Sequence, residues 1–232
     1  FDGGWHTLTI NINRTGLIYA APFGVVDGAT IENLKVAGTI RTDNKFAGGI
    51  LGWVNNTDDT RETHINNCIS VVNIESSTNG DGSHGGFAGQ VEKGLLRFEN
   101  CAFEGSITGD LTDKCAGFVS WRQGQVEYNN CTMAGTISIH NNPSIADNTA
   151  NFHRNGEGTF TNAYYITPSA QLATQGTEIT SSATAPTNGL YRKYTVSANN
   201  YYVPSVTISE LDNSTTTIFS YTGSVIPVNP VV

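Results

Sequence analysis

The sequence predicts an all-β fold: a right-handed parallel β-helix, a solenoid of about five coils with three short strands each. Three repeated phrases predict it, namely an asparagine phrase, a glycine phrase before it and a third phrase after it. A period of just over thirty residues with strand-like content is typical of stacked β coils. The usual handedness of parallel β crossovers favours a right-handed coil.

The asparagine phrase occurs five times, and asparagine is the residue that never changes in it. Its copies are residues 31–36, 65–70, 98–103, 128–133 and 160–165, with Asn33, Asn67, Asn100, Asn130 and Asn162 at the constant position. Asparagine tolerates the left-handed conformation that turns a strand sharply. Stacked once per coil, each side-chain amide can donate to the carbonyl of the next, so we expect an asparagine ladder inside the turn.

The glycine phrase and the third phrase complete each coil. The glycine phrase covers residues 22–26, 50–54, 87–91 and 118–122, and the third phrase covers residues 38–40, 72–74, 105–107 and 135–137. Each segment is too short to bury an apolar face alone. Stacking at the strand spacing of about 4.8 Å solves this, because like positions then form columns inside the tube.

Three of the four cysteines share one column. Cys68, Cys101 and Cys131 follow the constant asparagine, where Leu34 and Ala163 stand in the other copies. They therefore behave as small buried hydrophobic residues. Neighbouring Cα atoms lie within disulfide range, but parallel Cβ directions suit that bond poorly. We expect free thiols, with a bridge between two of them as the alternative.

Composition excludes several classes of function. Charged residues are 14% of the chain and its net charge is −8, which argues against a nucleic-acid groove. No stretch approaches the ~20 apolar residues of a membrane span. The chain starts at Phe1 without a signal peptide, and its one methionine is Met133. We therefore expect a processed or excised piece of a longer extracellular protein.

The opening residues 1–10, followed by residues 23–34 and 47–52, resemble the GLUG-type repeats of bacterial surface proteins. Those repeats carry a Gly-Gly-Leu-Val-Gly phrase before each Ile-x-Asn-Cys phrase. The match runs through about residues 1–165 and weakens in the last copy, where Phe152, His153 and Arg154 replace the glycine phrase. The resemblance implies a β-helix on a cell-surface or secreted protein, with an adhesin-like or stalk role, and it brings no catalytic residues.

Two regions divide the chain. We expect the β-helix over residues 1–170, and a linker with a C-terminal β segment over residues 171–232. Residues 171–190 are rich in small polar residues and predict a linker. Residues 191–232 alternate as strands do, and residues 220–227 are similar to the opening of small immunoglobulin-like repeats, so the segment is expected to lead to a further domain.

One column carries the candidate binding residues. Trp53, Gln90 and Trp121 follow one another in successive glycine phrases, and the two indoles lie two coils, about 10 Å, apart. Outward indoles at this spacing are a candidate glycan platform. The adjoining column is also expected to face outward and is also apolar. It consists of Phe23, Leu51, Ala88 and Val119. A strand that is apolar on both faces is usually covered on both, so packing under the C-terminal strands is the competing interpretation.

The sequence offers only weak candidates for a catalytic site. Glu32 and Glu99 share a column about 10 Å apart, near the upper limit for an inverting glycosidase pair, but their surroundings predict solvated acids. His84 and Cys115 are vertical neighbours that superficially suggest a Cys/His nucleophile, yet no third group orients them. The histidines lack metal-ligand spacing and the acidic loops match no calcium motif. We therefore expect no catalytic residues, no metal and no cofactor.

The sequence thus favours a non-enzymatic, adhesin-like or stalk module of an extracellular or cell-surface bacterial protein. Its expected partners are host or dietary glycans, surface proteins and neighbouring domains of the same chain. A glycan-binding module and a polysaccharide-cleaving β-helix remain the alternatives.

Overall fold

A computed structural model describes residues 1–139, 149–166, 172–173, 175–187, 190–205 and 218–221. These residues form 24 strands and no helix, so nothing among them has the helical form of a membrane span. All but the last three of these strands pair in parallel and stack as a β-solenoid of about five turns. The predicted fold class is confirmed.

The strands follow one another in short steps along the chain. They are β1 (Asp2–Arg14), β2 (Phe23–Val26), β3 (Thr30–Thr42), β4 (Leu51–Asn55), β5 (Glu62–Ser76), β6 (Gly80–Asp81), β7 (Ala88–Lys93), β8 (Leu95–Glu99), β9 (Ala102–Phe103), β10 (Ser106–Gly109), β11 (Thr112–Asp113), β12 (Cys115–Ala116), β13 (Val119–Arg122), β14 (Gln125–Asn129), β15 (Thr132–Met133), β16 (Thr136–Ile139), β17 (Thr149–Ala150), β18 (Thr159–Thr161), β19 (Tyr164–Tyr165), β20 (Leu172–Ala173), β21 (Thr177–Glu178), β22 (Leu190–Val196), β23 (Asn199–Pro204) and β24 (Ile218–Tyr221).

The three repeated phrases pair in the predicted register. The asparagine phrases align residue for residue through β3, β5, β8, β14 and β18, as in the pair Leu34 and Cys68. The glycine phrases form a sheet in the order β13-β7-β4-β2. The third phrases align Ile40 with Ile74, and Ile107 with both Ile74 and Ile137. Columns of like residues therefore run along the solenoid.

The later coils also hold short strands that the three-strand prediction left out. They lie between the third phrase and the next glycine phrase, where β6 pairs with β11 and β12 pairs with β17. Isolated bridges from Gly48 to Gly85 and from Gly85 to Ala116 extend this pairing. The connections that the sequence presented as loops are thus part of the hydrogen-bonded stack.

The interior is a continuous column of rings and aliphatic side chains. Phe87, Phe118 and Phe152 stack with ring centroids 4.7 and 5.0 Å apart, and Phe98 stacks on Tyr128 at 5.4 Å. Each of these side chains is almost completely buried. Because like rings meet like rings, the core has no break between coils.

The expected outward column of Phe23, Leu51, Ala88 and Val119 is wrong. Leu51, Ala88 and Val119 are fully buried in the same core cluster as the interior rings, and Phe23 packs against it. The reason is the tight bend at the paired glycines: a Cβ on Gly48 would lie only 1.8 Å from the Leu51 carbonyl oxygen. This bend lays the preceding residues against the strand and covers its second face.

The constant asparagines turn the chain as predicted. All five have φ between 50° and 54°, in the left-handed region. Their amides also bond along the stack: Asn67 donates to Asn33 at 3.0 Å, Asn100 donates to Asn67 at 3.1 Å, and Asn162 donates to Asn130 at 3.0 Å. The step between Asn130 and Asn100 is missing, and the Oδ1 atom of Asn100 has no partner.

The N-terminal end of the ladder is closed by an aspartate. Asn33 donates to Oδ1 of Asp2 at 3.1 Å, and the same oxygen accepts the Gly4 N–H at 2.8 Å. These hydrogen bonds lower the pKa of Asp2, the bond from Gly4 first and that from Asn33 second. A carboxylate suits this position because it only accepts hydrogen bonds.

Parallel pairing continues beyond the boundary expected at residue 170. β20 pairs with β17, and β21 pairs with β19 as far as Glu178. Gln175 lies between them, and its side chain accepts the N–H groups of Phe152 and His153 and donates to the His153 carbonyl. A single side-chain amide therefore replaces a strand at this point of the stack.

The described C-terminal strands cover a different flank from the one expected. β22 and β23 form an antiparallel hairpin, and Tyr194 and Val203 on it cluster with Ile166. Tyr194 donates a hydrogen bond to Glu104 at 3.1 Å, and Arg192 forms an ion pair with Glu104 at 3.5 Å. The hairpin therefore covers the face beside β9 and β15, and the expectation that these strands cover Trp53 and Trp121 is wrong.

Replacing Asn100 by leucine should lower the free energy of unfolding by about 1–3 kcal/mol, because one ladder bond is lost and leucine is strained at positive φ. Thermal and urea unfolding of the purified chain measure this. Asn100→Gly is the control, since glycine keeps the backbone conformation and loses only the amide. An unchanged midpoint for Asn100→Leu would contradict a stabilising ladder.

Candidate functional site

The aromatic column is built as predicted but is partly covered. Trp53 pairs with Gln90, and Gln90 pairs with Trp121, so the three lie side by side. Tyr19 stacks on Trp53 with ring centroids 5.0 Å apart, and Phe46 stacks on Tyr19 at 5.5 Å. Trp53 is only partly exposed, and its Nε1 atom is buried without a partner.

Gln90 and Trp121 are also engaged by this chain's own residues. Gln90 is 7% exposed, accepts the Tyr19 hydroxyl at 3.1 Å and donates to Glu92. The Arg154 guanidinium lies over the Trp121 ring, 5.9 Å from its centroid. Both contacts support packing, and a glycan platform at Trp53, Gln90 and Trp121 stays a prediction.

The covering residues belong to a repeat that the sequence reading missed. Tyr19 stands three residues before a glycine phrase, and Phe46, Ser83 and Lys114 each stand four residues before one; all have φ between 45° and 64°. Their side chains differ in size, charge and polarity. These positions share a backbone conformation but not a residue type, so the repeat could not be recognised in the sequence. The asparagine turn could be recognised, because the same residue recurs in every copy.

An ion-pair cluster ties three coils together beside this column. Asp81 lies 3.2 Å from Lys45 and 3.3 Å from Lys114, and it accepts a hydrogen bond from Ser83 at 2.6 Å. Burial raises the pKa of Asp81, but the Ser83 and Lys45 hydrogen bonds and the two ammonium charges outweigh it and leave the pKa lowered. Arg154 completes the cluster by donating to Ser83 and to the Lys114 carbonyl. These bonds stabilise the stack.

His84 and Cys115 do not form a nucleophilic pair. Nδ1 of His84 accepts the Ala47 N–H at 3.2 Å, and Nε2 lies 2.8 Å from the Ser76 hydroxyl oxygen. Because Nδ1 accepts, the proton is on Nε2 and is donated to Ser76. The Cys115 thiol bonds to the Asp113 carbonyl instead, at 3.6 Å. The imidazole is fully buried and cannot act as a base toward either neighbour.

His153 is a second buried histidine with a structural role. Its ring stacks on Tyr128 and Phe160, and its Nδ1 atom lies 3.2 Å from the Tyr128 hydroxyl. Burial lowers the pKa of His153 to about 4, with a contribution from the Arg122 charge. Burial alone also lowers the pKa of His84 to about 4, against the opposing charge of Asp81. Both rings are therefore neutral at physiological pH.

The four cysteines are free and buried. The pKa of Cys68 is raised well above its usual range by the hydrogen bond with Cys101 and by burial. Burial likewise raises the pKa of Cys101, and it raises that of Cys115 to about 12. Since the thiolate is the reactive form, these side chains act as packing residues.

The two glutamates that the sequence offered as a catalytic pair are not buried. Glu32 and Glu99 flank Asn66 in one row, as the sequence predicted, and Glu99 is exposed. Among the residues that the structure describes, no group of three or more His, Cys, Asp and Glu could hold a metal ion.

A depression lined by polar residues lies on another edge of the solenoid, with a volume of about 490 Å³. We call it the edge groove and define it by Asn13, Thr15, Arg41, Asp43, Glu75 and Asp110. Asn13, Arg41 and Glu75 end successive coils in one row, and each is exposed. The sequence showed Asp43 and Asp110 only as loop acids, because their proximity depends on how the coil ends stack.

Comparisons with known proteins do not identify a family for this chain. No family model matches the chain, and no curated protein matches it. One similar solved structure is the 1.30 Å crystal structure of a provisionally described immunoglobulin A1 protease from Bacteroides ovatus, with 17% identity and a TM-score of 0.48. The match covers 77% of this chain and 67% of that one. A likeness at this level bears on neither activity nor substrate.

The buried histidines should make stability fall between about pH 6.5 and pH 4. In that range the two histidines are protonated in the unfolded chain but stay neutral in the folded chain. Each of them therefore lowers the free energy of unfolding by up to roughly 3 kcal/mol as the pH falls to 4. Above pH 6.5 neither histidine makes the free energy of unfolding depend on pH. Urea unfolding midpoints across this range measure the effect.

The variant His84→Gln should flatten that dependence, because glutamine cannot take up the proton. His6→Gln, at an exposed side chain, is the matched control for losing one imidazole. If the pH slope of His84→Gln equals that of the parent chain, the buried, neutral assignment of His84 is wrong.

Iodoacetamide should leave all four thiols unmodified in the folded chain and should alkylate all four after denaturation, as mass spectrometry can count. Leu111 is 55% exposed, so Leu111→Cys provides an accessible thiol as the positive control. Rapid native labelling at any of the four positions would contradict their structural role.

Proposed function

We propose that this chain is a non-enzymatic, adhesin-like module of the GLUG type in a secreted or cell-surface bacterial protein. It acts as a stiff rod that spaces neighbouring domains and presents side faces to extracellular partners. Host or dietary glycans and surface proteins are the expected partners. The observation that carries this proposal is the unbroken interior stack, in which ring meets ring from Phe87 to Phe152.

The use of reactive groups in packing supports the non-enzymatic part of the proposal. His84 and His153 are buried and hydrogen-bonded, and the buried thiols have raised pKa values where a shift is resolved. A nucleophile and its base would need to reach a substrate, and these groups lie inside the stack. The side faces are left for recognition.

Repetition along the side faces supports the adhesive part. Equivalent positions recur at about 4.8 Å from coil to coil, so a polymer lying along the rod meets one side chain of a row in each coil. Several weak contacts then act together, which raises the overall strength of attachment. A rod of stacked coils therefore suits attachment to extended or densely displayed ligands.

Beads that carry the chain should adhere under flow to at least one surface coated with mucin, plant cell-wall polysaccharide or fibronectin. Beads that carry serum albumin are the control. The same surfaces, incubated with soluble chain, should release neither reducing sugar nor peptide over time.

Adhesion no stronger than that of the albumin beads on all three surfaces would contradict the adhesive role. Steady release of product would contradict the non-enzymatic assignment and favour a polysaccharide-cleaving or proteolytic β-helix.

A further inference from the structure

We propose that the edge groove binds a linear, uncharged glycan that runs along the solenoid axis. This inference rests on the proposed adhesive role and names its ligand class and its site. The groove lies on a different edge from the aromatic column of Trp53 and Trp121, whose contacts are with the chain's own residues.

The first argument is the direction of the groove. Asn13 pairs with Arg41, Arg41 with Glu75, and Glu75 with Thr108, so one row of side chains crosses four coils. At the spacing of parallel strands this row is about 15 Å long. A sugar ring in a linear glycan is similar in length to one strand spacing, so successive rings meet successive coils.

The second argument is the supply of free hydrogen-bonding groups. In the described part of the chain, the side chains of Asn13, Thr15 and Asp110 make no hydrogen bond to protein, and all three are exposed. Asp43 uses one oxygen to accept the Gly16 N–H at 2.6 Å and keeps the other. Carboxylate oxygens accept strong, charge-assisted bonds from hydroxyl groups. Sugars supply such hydroxyls in rows.

The third argument is a fixed cation at the centre. Arg41 forms an ion pair with Glu75, with Nε to Oε2 at 2.8 Å and a second contact from Nη2 to Oε1 at 3.4 Å. The pair holds both long side chains in one orientation, although each is about half exposed. Ordering these side chains before the ligand arrives lowers the entropy cost of binding.

The charge of the groove selects among glycans. Arg41 is its one cation among the described lining residues, against the three carboxylates Asp43, Glu75 and Asp110. The whole chain carries a net charge of −8, which adds to the repulsion. A uronate, sialic acid or sulfate group is therefore disfavoured, and a chain of neutral hexoses or pentoses is preferred.

A peptide fits the groove less well than a glycan. Peptide recognition by added strands uses unpaired strand edges, whereas β3, β5 and β10, which line most of the groove, pair on both sides. Among the described strands of the groove, β1 at one end pairs only with β3. None of the described residues that line the groove has a hydrocarbon side chain, so it offers no aliphatic or aromatic anchor for peptide side chains. A basic peptide remains a competing ligand by charge alone and is included in the test.

Calorimetric titration with cellohexaose, xylohexaose and mannohexaose tests the proposal, with hexagalacturonate as the acidic glycan and hexalysine as the basic peptide. At least one neutral hexasaccharide should bind, and hexagalacturonate should bind at least tenfold more weakly. The variant Asp43→Asn/Asp110→Asn keeps the shape of the groove and should weaken neutral binding tenfold or more.

The matched control is Asp59→Asn/Glu178→Gln, which changes the charge equally at two exposed residues away from the groove. Its affinity should equal that of the parent chain. Equal unfolding midpoints for all chains confirm that the comparison concerns binding alone.

Four results would overturn the inference. They are no binding of any neutral hexasaccharide, equal affinity for the acidic hexasaccharide, tighter binding of hexalysine, and neutral binding that survives in Asp43→Asn/Asp110→Asn but is lost in Trp53→Ala/Trp121→Ala. The last result moves the glycan to the aromatic column and leaves the adhesive role intact. The bead adhesion experiment decides that role separately.

Discussion

The structure depends on the pairing of each coil with the next. No segment is long enough to form a core alone, so the apolar side chains of the core are buried by their counterparts one coil above and below. Pairing at one spacing also restricts each column: rings stack on rings at Phe87 and Phe118, thiols on thiols at Cys68 and Cys101, and amides on amides at the asparagine turns. A side chain is therefore tolerated at a position only if it packs against the side chains at the same position in the coils above and below.

Polar groups inside the stack follow the same constraint. The amide ladder, the His84 network and the Gln175 side chain each satisfy buried donors and acceptors that would otherwise cost stability. These groups are therefore occupied within the stack, and the groups that a ligand could reach lie on the outer faces. Of those faces, the aromatic column is partly covered by its own chain, whereas the edge groove keeps exposed donors and acceptors across four coils.

Sequence reasoning succeeded where a residue type repeats and failed where only a backbone shape repeats. The asparagine, glycine and third phrases predicted the register, because the same residues recur at the same height. The placement of Leu51 on the surface was wrong, since the bend at Gly48 covers that face with the residues before it. Gln175 lies 22 residues along the chain from His153, whose N–H group it accepts, so no local sequence pattern predicted its role.

The sequence by itself determined the fold class, the period, the members of each column and the turn made by the asparagines, because parallel pairing gives equivalent positions equivalent surroundings. Only the tertiary structure decided which faces stay open. Tyr19 and Arg154 cover the two tryptophans, and the C-terminal hairpin covers the flank near Glu104. These contacts involve positions at which no residue type repeats, so they depend on how distant segments meet, as do the stacked coil ends that form the edge groove.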